Sequence, residues 1–320
     1  MKLNKLGNSE LFVSPYYLGT MTFGETTEQE DAHQQINEAL EYGINFIDTA
    51  EMYPTCPIKK ETTGKTEEII GNWISKNKKT IKLAIEGSLK KLKTNYIDLY
   101  QLHWPNRGSY HFRAYWNYNP IKQDDEEITE EVFSIVETLY SLKKEGLIRE
   151  FGLSNETCWG TSKYLAEVKK FKGLNIASIQ NEYSLLCRLF DNDFNELSLN
   201  ENIPLLAYSP LARGLLTGKY MGKKIPEGSR LSRDDKIRRI VNENSDLAVR
   251  AYFDLAQEHN LEPIHMALSF CRERPFMGSV IFGATNIVQL REILKGIDVR
   301  LTDETKNDIQ KIYKKYPLTF

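Results

Sequence analysis

Short runs of β-branched and other apolar residues recur along the chain, each followed by a stretch in which apolar positions return every three or four residues. The runs predict strands at Tyr16–Thr20, Asn45–Thr49, Ile97–His103, Arg149–Ser154, Ile176–Asn181, Pro204–Ser209 and Ser279–Gly283. Most are nearly continuous in apolar residues, as expected of strands covered on both faces of a parallel sheet. The periodic stretches predict helices at Gln29–Tyr42, Lys65–Lys76, Glu130–Glu145, Thr157–Lys170, Phe194–Glu201, Leu247–His259 and Ile287–Leu294. Two starts carry capping groups, Thr26-Thr-Glu-Gln29 and Ser154-Asn-Glu-Thr157, whose hydroxyls or amides can satisfy open backbone N–H groups. Strand and helix alternate, which makes this a parallel α/β protein.

Seven strands fall one short of a (β/α)8 TIM barrel, and the vacancy lies between the second and third of them. A strand-helix unit elsewhere takes about thirty residues, as from Gly152 to Gln180. Between Asn72 and Pro105, however, one helix is followed at once by another. Ile81-Lys-Leu-Ala-Ile85 alternates well enough for a strand, but Ile81, Ile85, Leu89 and Leu92 form a stripe that favours a helix. A cylinder without one interior strand exposes two unpaired edges and opens its core. That penalty predicts that a further stretch of chain belongs between Lys79 and Thr80; the alternative is a genuine variant.

Composition changes this picture little. At 320 residues the chain suits two domains or one large barrel, and the barrel reading makes residues 1–320 one domain. A net charge of -2 gives no basic field for nucleic acid or anionic lipid. No apolar run approaches the ~18 residues of a membrane span and the N-terminus lacks a signal-peptide core, so a cytoplasmic protein without membrane attachment is expected, as a monomer. Cys56, Cys158, Cys187 and Cys271 are far apart, which argues against a metal site or disulfide framework and predicts buried free thiols.

In a parallel barrel the site forms where strands end. Asp48 ends the second strand, Tyr53 follows in its loop, and His103 ends the third. Each has a dull reading alone, as turn, packing or core residue, but three ionisable groups at such ends suggest chemistry. Ser154 and Asn155 end one strand, and Gln180 and Asn181 another; they would either recognise a neutral polar group such as a carboxamide or cap the next helices. Tyr208 can stack on a flat heterocycle, and a Pro/Gly-rich loop with Arg213 and Lys219 follows it. Gly283-Ala-Thr-Asn286 opens a helix and suits a phosphate. G-x-G-x-x-G and P-loop motifs are absent.

Taken together, YLGTMTFG, INFIDTAEMY, DLYQLHWP, GLSNET, IQNEYSLL, LAYSPLARGLLTGKY and GATNIVQL resemble the aldo-keto reductase superfamily, in family order along almost the whole chain. The Tas-like subgroup is the most similar, with the potassium-channel β-subunit branch related. The resemblance implies a (β/α)8 barrel that binds NADPH and reduces a small-molecule aldehyde or ketone to an alcohol. By position it implies Tyr53 as proton donor, His103 as the group orienting the carbonyl, and Asp48 as the tetrad carboxylate. Thr20 and Met21 would line the nicotinamide pocket, Ser154, Asn155 and Gln180 would grip the carboxamide, and Tyr208 would lie beneath the ring. Ser209, Pro210, Leu211, Gly214 and Lys219 match the pyrophosphate loop; Gly283, Thr285, Gln289 and Glu292 match the adenosine end, and Arg230 is a candidate for the 2′-phosphate. Ile293 stands where relatives often carry an adenine-contacting asparagine. The larger departure is the third strand: the family's tetrad lysine ends it, and this chain has no counterpart. Lys82 would replace it only from mid-strand. Without that cation a rival reading is a cofactor-binding regulator or sensor with weakened catalysis.

Overall fold

The computed structural model describes residues 1–55, 58–75, 84–112, 114, 116–233 and 240–319. A short antiparallel hairpin, β1 (Asn4–Lys5) with β2 (Phe12–Val13), precedes a sheet of seven parallel strands. These are β3 (Tyr16–Gly19), β4 (Ile47–Asp48), β5 (Ile97–Leu102), β6 (Ile148–Ser154), β7 (Ile176–Glu182), β8 (Leu205–Tyr208) and β9 (Met277–Phe282). They pair in the order β4-β3-β9-β8-β7-β6-β5. The curled sheet, with helices packed on it, is the α/β barrel architecture carried by seven strands. All seven predicted strands are present, each within two residues of its expected ends.

Two apolar layers hold the fold. Leu6, Val13, Tyr17, Ala177, Leu206 and Ile281 fill the inside of the curl, with the hairpin supplying the first two. A larger layer lies between the strands and the helices and takes in Leu18, Ile36, Phe151, Ile179, Leu205 and Val280. Each such side chain contributes about 1.5–3 kcal/mol by leaving water. The register sets the upper rim: Gly19 faces Asp48, Ser154 faces Gln180, and Glu182 faces Tyr208.

Among the described residues, no strand pairs with the outer edges of β4 and β5, so the sheet stays open where the eighth strand was expected. Two helices that follow α1 (Gln29–Glu41) meet on that side, α2 (Lys65–Ser75) and α3 (Ala84–Leu92). They pack tightly enough that a β-carbon on Gly71 would run into the Lys91 carbonyl. Ala84 to Leu92 is helical, in line with the stripe reading, whereas Ile81, Lys82 and the Lys79–Thr80 junction lie outside the described residues.

Some expectations need correction. Thr26 and Thr27 do not cap the helix Gln29–Glu41; Glu28 precedes it without a side-chain cap, because the Thr27 hydroxyl is bonded instead to Thr22 Oγ1 and the Thr285 carbonyl. Thr157 caps the helix Cys158–Val168 by accepting from Gly160 N at 3.1 Å, so Ser154 and Asn155 are left for other bonds. The hairpin and two helices were not predicted. Pro263–Arg272 is buried from His265 to Cys271 and so lacks a polar face; Asp303–Lys315 buries only Thr305 and Ile309. Cys271 is buried, but Cys158 and Cys187 are half-buried, since they sit beyond strand ends rather than in the core; Cys56 lies outside the described residues. No described helix is long and apolar enough to cross a membrane, and no described cluster could hold a metal ion.

Candidate active site

The sequence candidates gather at the carboxyl ends of the parallel strands. Asp48 ends β4 on the open side. Its Oδ1 accepts from Gln180 Nε2 at 2.9 Å, while its backbone carbonyl accepts from the Thr20 hydroxyl at 2.6 Å. Burial pushes the Asp48 carboxyl up to about 6, against the smaller lowering by the Gln180 bond. Its surface stays partly accessible at the sheet edge, yet protein surrounds the carboxyl closely enough for desolvation to dominate.

Tyr53 sits in the turn after β4, held by Tyr53 N to the Ala50 carbonyl and by Gly64 N to the Tyr53 carbonyl, both at 2.9 Å. Its ring approaches that of His103 edge-on, with centroids 6.4 Å apart and planes at 76°. His103 follows β5, and burial holds its imidazole below the usual value, in the neutral form near pH 7. The adjacent Trp104 ring lies 4.6 Å from that of His103, and Phe112 edges onto Trp104 at 6.3 Å.

A connected set of neutral polar groups lies across the rim. Asn155 adopts a left-handed φ of 54°. Its Nδ2 donates to the His103 carbonyl at 2.9 Å and to Ser154 Oγ at 3.1 Å; its Oδ1 accepts from the Tyr208 hydroxyl at 2.8 Å. Ser154 Oγ donates to the Gln180 carbonyl at 2.9 Å. Asp48, Gln180, Ser154, Asn155 and Tyr208 therefore form one network that ends at the His103 backbone. Asn181 faces elsewhere, donating to the Glu156 carbonyl at 3.3 Å.

The remaining candidates surround this network less tightly. The loop after Tyr208 turns through left-handed Ser209, Ala212, Arg213 and Gly214. Pro210 is buried and Leu211 packs on the core. Gly214 is required at its φ of 97°, and a β-carbon there would also lie 2.9 Å from Lys219 Cε. Lys219 is exposed, with its ammonium 5.3 Å above the Tyr220 ring. Arg230 reaches the other side of the site, with Nη2 3.8 Å from Met21 Sδ. Neither Lys219 nor Arg230 has a carboxylate partner among the described residues, and Arg230 Nε is buried without an acceptor. A lysine beside a glycine-bearing loop and an arginine across the site from it fit an anionic cofactor.

Gly283 follows β9, where a β-carbon would press on the Gly19 carbonyl at 3.3 Å. Gln289 Oε1 accepts from Thr285 N at 3.1 Å, and Asn286 caps the helix. Thr22 and Thr27, which the sequence did not single out, tie this stretch to the loop after β3 through the Ala284 and Thr285 carbonyls at 3.2 and 3.0 Å. Glu292 is on the surface, paired with Lys295 at 2.6 Å, whereas Ile293 is buried in the core. Arg107, His111 and Glu156 were also missed, since an isolated arginine or histidine in a loop looks the same as a solvated one, and Glu156 reads as part of a cap.

The aldo/keto reductase family model matches residues 16–85 and 75–314, in two pieces that overlap over 75–85. "Protein tas" of Escherichia coli (strain K12) is 36% identical over 346 aligned positions, covering 99% of each chain. At least 26 of those positions therefore face no residue of this 320-residue chain. "Uncharacterized oxidoreductase YrpG" of Bacillus subtilis (strain 168) is 28% identical, over 98% of this chain and 96% of its own. "Probable voltage-gated potassium channel subunit beta" of Arabidopsis thaliana is 25% identical, over 99% and 98%. The chain thus belongs to the aldo/keto reductase family of oxidoreductases.

Proposed function

We propose that this protein reduces aldehydes or ketones to alcohols with NADPH, using Tyr53 as proton donor. The edge-on approach of Tyr53 to His103, beside the amide network that starts at Asp48, is the observation that supports this reading most directly. When bound, NADPH supplies the hydride that the carbonyl carbon receives. Tyr53 gives its hydroxyl proton to the carbonyl oxygen. His103, kept neutral by burial, orients that oxygen through a ring N–H without competing as the acid. Ser154, Asn155 and Gln180 would hold the carboxamide, Tyr208 would support the ring, and Lys219 and Arg230 would meet phosphate charge. Asp48 supports the amide network, but its ionised form opposes the negative charge that develops on Tyr53.

The test combines NADPH fluorescence titration with NADPH consumption on small aromatic aldehydes. The native chain is expected to bind and turn over. Tyr53→Phe is expected to lose turnover by about 100-fold or more with cofactor Kd within about threefold. Normal turnover by Tyr53→Phe rules out its role. Tight NADPH binding by the native chain without turnover would favour the regulator reading, for which the absent tetrad lysine is the motivating observation.

A further inference from the structure

Beyond the rim network, one ion pair ties together two segments that carry different parts of the site. Arg107 lies four residues after His103, and Glu156 directly follows Asn155. The Arg107 guanidinium meets the Glu156 carboxylate end-on, with Nη1 on Oε2 at 3.0 Å and Nη2 on Oε1, and Nη2 also reaches Thr157 Oγ1 at 3.2 Å. Both side chains are sealed, at 8% and 3% exposure. The Arg107 guanidinium carbon sits 5.2 Å above the Trp159 ring, and Gly160 leaves the space the pair needs, since a β-carbon there would strike both partners. Thr157 N also donates to Glu156 Oε1, at 2.6 Å, at the amino end of the following helix. Beneath the pair, His111 Nε2 bonds to the Glu156 carbonyl at 2.9 Å.

We infer that Arg107 and Glu156 are positioning residues, a brace that fixes His103, on one segment, relative to Asn155, on the other. Past the β5–β6 ladder, which ends with Leu102 opposite Leu153, the two segments are joined by the Asn155-to-His103 bond and the His111-to-Glu156 bond, both to backbone carbonyls. The bidentate pair adds a further point between two buried side chains, and its fork fixes direction as well as distance. The inference rests on the reductase reading, because the geometry it protects is that of the carbonyl oxygen at His103 against the nicotinamide held at Asn155. A buried pair is a poor stabiliser compared with apolar residues of similar volume, so a purely structural role is replaceable.

The deciding experiment compares the full-length native chain with the double variant Arg107→Met/Glu156→Met and with Arg107→Lys. Readouts are thermal midpoint, NADPH Kd, kcat and KM for an aromatic aldehyde, and the kinetic isotope effect with NADPH deuterated at the transferred position. The double variant is expected to keep its midpoint within a few degrees, to lose about tenfold or more in kcat/KM for the aldehyde, and to show a larger isotope effect. Arg107→Lys, which keeps the charge but not the fork, is expected to fall between. Unchanged kcat/KM and isotope effect in the double variant overturn the brace while leaving the reductase reading intact. A folded native chain that gives no turnover overturns the reductase reading and the brace with it. If the double variant fails to fold, Arg107→Lys decides alone: a larger isotope effect at unchanged midpoint supports the brace, and native kinetics overturn it.

Discussion

The two flanks of the sheet treat a buried carboxylate differently. On the closed flank, β7 is buried along its whole length, and Glu156 beyond β6 is met by the fork of Arg107. On the open flank, β4 and β5 are only half-buried at every residue, and Asp48 is met by the amide of Gln180. Glu67, buried on the same flank, keeps a raised carboxyl value because burial outweighs its bonds to Ser88 and Lys91. Arg107 itself follows the edge strand β5 and Glu67 has Lys91, so the contrast lies in the partner rather than in closure. A guanidinium fork brings Glu156 a full positive charge, whereas the Gln180 amide leaves burial to raise the Asp48 carboxyl.

The largest effect should come from closing the open flank. Inserting, between Lys79 and Thr80, a designed strand-forming segment that ends in a lysine, as the family resemblance implies for this place, is expected to add an eighth strand. A cation beside Asp48 and Tyr53 compensates the carboxylate and stabilises tyrosinate, each unit of acidity being worth 1.36 kcal/mol, or about tenfold in an equilibrium. Aldehyde turnover should rise by about 100-fold or more, with a higher thermal midpoint. An insertion variant that folds with more strand content but turns over no faster would show that the open flank does not limit the chemistry.

Next in size is the proton on Asp48. Its native value near 6 lies above the ordinary 3.8, so the native state binds this proton more tightly than the unfolded chain. The resulting stabilisation is fully present below about pH 4 and is lost as pH rises through 6. At neutral pH the ionised carboxylate then costs on the order of 2 kcal/mol, after a discount for its partial exposure. Asp48→Asn should match the native chain in urea unfolding at pH 4 and exceed it by about that amount at pH 8. Parallel stability profiles across this range would place the carboxyl in a far wetter setting than its neighbours suggest.

Much of the architecture was legible because parallel strands buried on both faces write themselves as continuous apolar runs, and the strand ends then name the rim. Leu205–Tyr208 is a case in point. Residues whose role depends on a distant partner were not legible. Arg107 gains its meaning only when Glu156, forty-nine positions away, arrives beside it. Thr27 looked like a helix cap because the Thr285 carbonyl that claims its hydroxyl lies 258 positions on. The helix Pro263–Arg272 escaped for the opposite reason, burial on nearly all sides having erased its periodicity.

The smallest effect separates local propensity from packing on the open flank itself. Gly71 lies in α2 and Gly87 in α3, both inside helices where glycine costs about 0.5–1 kcal/mol relative to alanine. A β-carbon on Gly87 meets nothing within 4 Å, whereas one on Gly71 meets the Lys91 backbone, which cannot move without shifting α3. Gly87→Ala should therefore stabilise the chain by about 0.5–1 kcal/mol, a midpoint rise of roughly 1–2 °C for a protein of this size. The same change at Gly71 should reverse the sign, because the contact between α2 and α3 would have to open. Calorimetry on the two variants checks both. If Gly71→Ala is also stabilising, the two helices do not close against each other as described, and the flank is more open still. If Gly87→Ala is destabilising, the exposed side of α3 is covered by something, and the half-buried edge of β5 is where to look for it.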